Sequence, residues 1–197
     1  MNLVERVKRI LLSPQTEWEV IDEESTTPAQ LYTGYIAPLA AIGPVAKLIG
    51  DSVFGVSLPL MATYRVPFGY AITHAIVTYI LVLVVTYVLA LIVDALAPTF
   101  NGKRSPIQAL KLVAYSSTAS WVAGVFALLP ALWFLTLLGF YSLYLFYLGL
   151  PVMMKVPKNK AIGYTVVVVL AAIVLFMISA AVSSRFVRVP GVAMTMP

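Results

Sequence analysis

Residues 128–151, LLPALWFLTLLGFYSLYLFYLGLP, decide the fold of this chain. The 20 residues between Pro130 and Pro151 carry no charge. At about 1.5 Å of rise per residue, they match a hydrocarbon core roughly 30 Å thick. Apolar residues surround the whole helix, so none of its sides is suited to water. The segment therefore predicts a helix that crosses a membrane.

A chain reversal is predicted at Pro130. The preceding residues 107–129 are nearly as apolar, and the two segments together would form one helix of about 66 Å. That length far exceeds the thickness of a bilayer. Proline removes a backbone donor and disfavours helical geometry in the residue before it. Because no polar loop separates the two segments, we expect a tight hairpin.

The composition places the chain in a membrane. Of its 197 residues, 61% are hydrophobic and 11% are charged, whereas a soluble domain is about 25% charged. The absence of cysteine and the single histidine argue against thiolate chemistry and clustered metal ligands. We therefore expect no cofactor and no metal. The basic residues are scattered between apolar segments, so membrane lipids are the expected partners and nucleic acid is not.

Five apolar segments predict an all-α polytopic membrane helix bundle with five transmembrane helices. They cover residues 31–49, 68–94, 107–129, 131–150 and 161–182, within a membrane domain of residues 31–183. Residues 1–30 are predicted as cytoplasmic amphipathic helices with a hinge. Residues 184–197 are predicted as a short extracytoplasmic tail.

Residues 1–24 predict two short helices that lie along the membrane surface. The first has an apolar stripe opposite a charged face, with Arg6 assigned to the charged side. The second begins with Ser13 as N-cap and Pro14 in the first helical position, and it carries Trp18, Val20 and Ile21 on one side of an otherwise acidic helix. Apolar stripes on short, charged helices are typical of interfacial segments.

Lysine and arginine are unevenly distributed between the two predicted sides. The amino-terminal side holds nine of them: Arg6, Lys8, Arg9, Lys103, Arg104, Lys111, Lys155, Lys158 and Lys160. The opposite side holds four: Lys47, Arg65, Arg185 and Arg188. The positive-inside rule then places the amino terminus in the cytoplasm and the carboxyl terminus outside an inner (cell) membrane.

Ionisable groups at membrane depth are candidates for function because burying them is costly. Asp94 ends the second span and Lys111 begins the third, across one polar turn. They are predicted to form an ion pair that closes this hairpin; a proton or ion relay is the alternative. His74, near the outer end of the second span, is interpreted as a snorkelling or capping group.

Pro38 and Pro44 interrupt the first span, which predicts a kinked or broken helix. Each proline frees a carbonyl that lipid cannot satisfy. The candidate partners are hydroxyl side chains of the third and fourth spans, so the first span is expected inside the bundle, facing those two spans. These hydroxyls belong to Tyr115, Ser116, Ser117 and Tyr144.

Tyr144 also lies in a stripe with Tyr141 and Tyr147. The stripe is interpreted either as an interfacial aromatic belt or as a polar lining within the bundle.

Enzymatic activity is not expected. The sequence contains no H-E-x-x-H, G-x-S-x-G or phosphate-loop motif. Asp51 and Asp94 fall at opposite membrane faces, which excludes an aspartyl dyad between them.

Three stretches resemble the Yip-one domain of bacterial inner-membrane proteins. They are LLSPQTEWEVIDEE (residues 11–24), LYTGYIAPLAAIG (residues 31–43) and LLPALWFLTLLGFYSLYLFYLGLPVMMKVPKNKAIGY (residues 128–164). Eukaryotic members are named for binding Rab/Ypt GTPases on secretory membranes. The resemblance therefore implies an adaptor that packs against other membrane proteins or itself, and it supplies no catalytic residue.

Two functions remain open from the sequence. The first is a non-catalytic membrane adaptor or assembly subunit. The alternative is a small transporter or channel for an ion or lipid, since broken helices often frame substrate sites. A polar cavity reaching the middle of the membrane would favour transport, and a filled bundle would favour the adaptor.

Overall fold

A computed structural model describes residues 2–55 and 66–186, which are helical almost throughout and contain no strand. The all-α prediction is confirmed over these residues. Most of the predicted loop between the first two spans, including Arg65, lies outside the described residues, as does the tail from residue 187 onward.

Eight helices organise the described chain. They are α1 (Leu3–Leu12), α2 (Pro14–Glu23), α3 (Pro28–Phe54, interrupted), α4 (Phe68–Leu96), α5 (Pro106–Ser116), α6 (Thr118–Ala123), α7 (Tyr141–Met153) and α8 (Lys158–Phe186). A 3₁₀ turn, Ala97–Phe100, extends α4. Two further 3₁₀ segments, Gly124–Leu128 and Pro130–Phe140, form what we call the 3₁₀ hairpin.

Four segments are long and apolar enough to cross a membrane: Pro28–Phe54, Phe68–Phe100, Phe134–Met153 and Lys158–Arg185. The predicted third span is not among them because its helix breaks at Ser117, whose hydroxyl donates to the carbonyl of Val113 at 2.8 Å. Its first half, α5, is nevertheless the centre of the bundle. Residues 109–116 are all buried.

The predicted reversal at Pro130 is present. Leu129 is extended, with φ −116° and ψ 110°, between the two arms of the 3₁₀ hairpin. Away from this turn, the Ser120 hydroxyl donates to the Gly139 carbonyl at 3.0 Å. The prediction of an α-helix over residues 131–150 is wrong in its first half, since Pro130–Phe140 is a tighter 3₁₀ helix, unusually long for that conformation. The narrower coil allows Gly139 to lie against Ser120, where an added Cβ would be 3.2 Å from the Ser120 Cα.

Helix α3 is broken, as its prolines predict. A π-helical turn covers Tyr32–Ile36, another covers Gly50–Phe54, and Ala41 forms a turn between them. The helix packs closely against the 3₁₀ hairpin: a Cβ on Gly124 would lie only 2.9 Å from the Cα of Gly43.

The expected position of α3 is correct only in part. Its buried face meets α4, α6 and the 3₁₀ hairpin, while Pro38 is exposed and Pro44 is half-buried. The expected hydroxyl partners are wrong. A hydroxyl from α4 bonds to a different carbonyl of α3, since Tyr79 donates to that of Ala37 at 3.2 Å. This carbonyl is left free by the turn at Ala41, whose amide donates to Leu39. Hydropathy predicts which segments enter a membrane, but it does not give the side of each helix that faces a neighbour.

The elements define two ends of the bundle. At one end, α1 and α2 lie with the loops that follow α4 and α7, and the Lys103 amide donates to the Met154 carbonyl at 2.8 Å. At the other end, the turn of the 3₁₀ hairpin meets the last turns of α3, where a Cβ on Gly50 would lie 2.5 Å from the Ala127 carbonyl oxygen. The segment 106–128 therefore extends from one end of the bundle to the other.

Candidate functional site

A buried arginine organises the end of the bundle that carries α1 and α2. Arg6 is 5% exposed, and its Nη1 donates to Glu17 Oε1 at 2.5 Å. Its Nη2 donates to Glu24, and its guanidinium lies 5.7 Å from the centre of the Tyr115 ring. Burial lowers the pKa of Arg6, but the hydrogen bond to Glu24 and the fields of Tyr115, Glu24 and Glu17 raise it above its usual value. The guanidinium therefore stays charged.

Lys111 fixes the carboxyl end of α2. Its Nζ donates to the carbonyl of Ile21 at 2.9 Å and to the carbonyl of Glu24. These carbonyls lack partners within their own helix, and a cation there also complements the helix dipole. Gln108 and Lys155 hold the adjacent Asp22 from either side, at 2.9 Å and 2.5 Å.

Trp18 fills a slot in the bundle that exists because residue 149 is glycine. The indole is fully buried, and a Cβ on Gly149 would lie 2.5 Å from its Cε2 atom. The Trp18 ring meets Tyr115 edge to face, with centroids 6.4 Å apart. The apolar side of α2 is thus covered by α5 and α7. The expectation that Trp18, Val20 and Ile21 share a side that lies on the membrane surface is wrong, since Trp18 and Ile21 are buried in the bundle and Val20 is exposed on another side. An apolar stripe does not distinguish a lipid surface from a protein one.

An open groove of about 260 Å³ lies between α1, the linker that follows α2 and the start of α3. Its polar lining includes Arg6, Glu24, Ser25 and Tyr115. The groove is therefore continuous with the Arg6 cluster. It is the candidate binding site of this end of the bundle.

The predicted ion pair between Asp94 and Lys111 is wrong. Asp94 is 3% exposed, and its Oδ2 accepts from Nε and Nη2 of Arg104 at 3.1 Å and 3.0 Å. Lys111 points instead toward α2. Asp94 and Lys111 both lie near the end of the bundle where they are predicted. Their side chains face different neighbours, which sequence position alone does not reveal.

The remaining candidate residues are dispersed. Ser116 is buried and its hydroxyl has no hydrogen-bond partner among the described residues. Tyr144 is 47% exposed, with its ring 5.5 Å from that of Tyr141. His74 lies at the opposite end, in a second cavity that also contains Asp51. Only Lys111 and Tyr115 belong to the site around Arg6.

The residues that form this site are not predicted from the sequence, although their spacing along the two short helices indicates it. Glu17, Ile21 and Glu24 recur at intervals of four and three residues, which places two acids beside a buried isoleucine. Arg6 precedes Ile10 by four residues and shares its side of α1. Charges of opposite sign on the apolar sides of consecutive short helices favour a buried ion pair over two lipid-facing surfaces.

Sequence comparisons agree with this architecture. The Yip1 domain matches residues 8–179, which include Trp18, Lys111 and Gly149. The chain belongs to the Yip1 domain family. It is similar to the inner membrane protein YohC of Escherichia coli strain K12 and to YohC of strain O6:H1. Each is 25% identical over 156 residues, covering 77% of this chain and 80% of YohC. No solved structure matches the chain.

The Yip1 family membership, together with the apolar helices, identifies an integral inner-membrane protein. In this Yip1 domain, the stretches that carry the family resemblance meet in space. Trp18 comes from the first stretch and Gly149 from the last, and the two are in direct contact.

Proposed function

We propose that this Yip1-domain protein is a non-catalytic membrane adaptor or assembly subunit. The observation that carries the proposal is the packing of α5, whose residues 109–116 are buried on every side in the middle of the bundle. It packs there against α4 and α7. A helix enclosed in this way favours a structural core over a permeation path, so the adaptor is better supported than the transporter or channel.

The bonding of the charged residues favours the same reading. Arg6, Lys111 and Asp94 are each buried, and each is held by another part of the fold. Such bonds orient helices and leave the groups with a structural role, so we propose no reaction for them.

The proposal includes five membrane crossings, with the amino terminus in the cytoplasm and the carboxyl terminus outside. Segment 106–128 supplies the additional crossing because it connects the two ends of the bundle despite its break at Ser117. The basic loops that follow α4 and α7 adjoin α1 and α2, and the positive-inside rule assigns that end to the cytoplasm.

The surface proposed for partner contact is the exposed side of α2. It carries Glu19, Val20 and Glu23, and Val20 is 40% exposed. The opposite side of the helix is fixed to the bundle by Trp18 and Lys111, so the exposed side is presented in a defined orientation. Its acidic character favours a basic cytoplasmic segment of another membrane protein.

A photo-crosslinking amino acid at position 19, in native membranes, tests this proposal. We expect one or a few discrete protein adducts. The matched position is Phe176 of α8, which is 73% exposed in the apolar part of the chain and is expected to give lipid adducts. Identical adduct patterns at the two positions would contradict the adaptor surface, and selective ion flux in proteoliposomes of the pure protein would favour transport instead.

A further inference from the structure

The groove beside Arg6 contains an unused hydroxyl. Tyr115 is 6% exposed and lines the groove, yet its hydroxyl bonds to none of the described residues. The hydroxyl is not among the buried side-chain atoms that lack a hydrogen-bond partner, so it reaches the open space of the groove. Arg6, 5% exposed, lines the same groove and is held against the Tyr115 ring. The groove therefore presents a fixed cation and a free hydroxyl side by side.

The lining suits a ligand that carries both signs of charge. The Arg6 guanidinium has five N–H donors, and the bonds to Glu17 and Glu24 leave others for an anion. Ser25 adds a hydroxyl from the linker, and the Glu24 side chain is 37% exposed as an acceptor. A lone anion would be repelled by Glu24, whereas a zwitterion with an ammonium group would bind both charges.

The position of the groove indicates a lipid. Leu3, Leu31 and Gly34 form its apolar part, and the latter two belong to the first turns of α3, where the chain enters an apolar segment. Lipid headgroups lie where a chain enters the hydrocarbon core, so the groove is positioned to meet them. A volume of about 260 Å³ is below the range of about 300–1,000 Å³ usual for drug-sized ligands, so it fits a headgroup without its acyl chains.

We propose that this groove binds the headgroup of a zwitterionic phospholipid with a primary ammonium, phosphatidylethanolamine. The phosphate accepts hydrogen bonds from Arg6, Ser25 and the Tyr115 hydroxyl, and the ammonium donates to Glu24. The acyl chains leave past Gly34, which is exposed, into the bilayer. This site is distinct from the partner surface on α2 and does not depend on the adaptor role.

Native mass spectrometry of the purified full chain tests the proposal with phosphatidylethanolamine, phosphatidylglycerol and phosphatidylcholine of identical acyl chains. Phosphatidylethanolamine is expected to bind at least about tenfold more tightly than the others, since neither replacement offers Glu24 an N–H donor. Tyr115→Phe should weaken that binding by about tenfold. The Tyr115→Phe variant should retain its fold, because the lost hydroxyl has no partner among the described residues. Tyr144→Phe, which changes an exposed tyrosine of α7, is the matched control.

Three results would overturn the proposal. Equal binding of the three lipids would indicate an unspecific lipid shell. An unchanged affinity in Tyr115→Phe, or an equal loss in Tyr144→Phe, would place the lipid elsewhere. Soluble glycerophosphoethanolamine that displaces bound phosphatidylethanolamine at an equal concentration would identify a soluble ligand. In that case the apolar part of the groove would contribute nothing to the affinity.

Discussion

Arg6→Met is expected to destabilise the protein by about 3–5 kcal/mol, because it leaves Glu17 as a buried carboxylate without its cation. Glu17 is 3% exposed, and Arg6 is its ion-pair partner. The charge is costly there because little water reaches it. The free energy of unfolding, measured by denaturant titration in mixed micelles, gives the size of the loss.

The matched control for Arg6 is on the same helix. Arg9 also pairs with a glutamate, Glu5, at 2.6 Å, but both side chains are about half exposed. Arg9→Met should therefore cost less than about 1 kcal/mol. Arg6→Met combined with Glu17→Leu should recover most of the lost stability, since no unpaired charge remains. Equal losses of unfolding free energy in Arg6→Met and Arg9→Met would show that Arg6 is not buried against Glu17.

Gly149→Ala is expected to destabilise the protein by about 1–3 kcal/mol through overpacking. The new Cβ would lie 2.5 Å from Trp18 and 2.7 Å from Leu112, and the indole is fully buried, so neighbouring groups would have to shift. We expect α2 to loosen from the bundle. The free energy of unfolding should fall, and limited proteolysis in the linker that follows α2 should accelerate.

Gly163→Ala is the control for this substitution. Its Cβ would meet Phe100 at 3.6 Å, an ordinary contact, so the usual helical gain of about 0.5–1 kcal/mol from replacing glycine is expected. Trp18→Phe in the Gly149→Ala background should remove part of the clash and restore stability relative to Gly149→Ala alone. If the two alanine variants were equally stable, the contact between α2 and α7 would be wrong.

The sequence predicts the features that follow from length and hydropathy. Segments of about 20 apolar residues have few alternatives to crossing a bilayer, and Pro130 has to interrupt a helix of twice that length. These constraints are local, so one sequence suffices to recognise them. The same holds for two of the breaks in α3, since the π-helical turn Tyr32–Ile36 and the turn at Ala41 lie within about one helical turn before Pro38 and Pro44.

The orientation of each helix about its own axis is not a local property. Depth alone predicts a pair between Lys111 and Asp94, but the orientation of α5 directs Lys111 toward α2, and Arg104 lies beside Asp94. The amphipathic pattern of α2 predicts Trp18 at the membrane surface, yet Gly149, more than a hundred residues away, provides the space that buries it. Such contacts depend on packing between distant segments.

Cysteine labelling tests the five-crossing topology most directly, since the natural chain contains no cysteine. Single cysteines at Glu19, Lys47, Leu129, Lys155 and Ser184 would be exposed to a membrane-impermeant thiol reagent in intact and in permeabilised cells. We predict labelling of positions 47, 129 and 184 in intact cells, and of positions 19 and 155 only after permeabilisation. Labelling of 155 from outside, with 129 and 184 protected, would show four crossings and contradict the account.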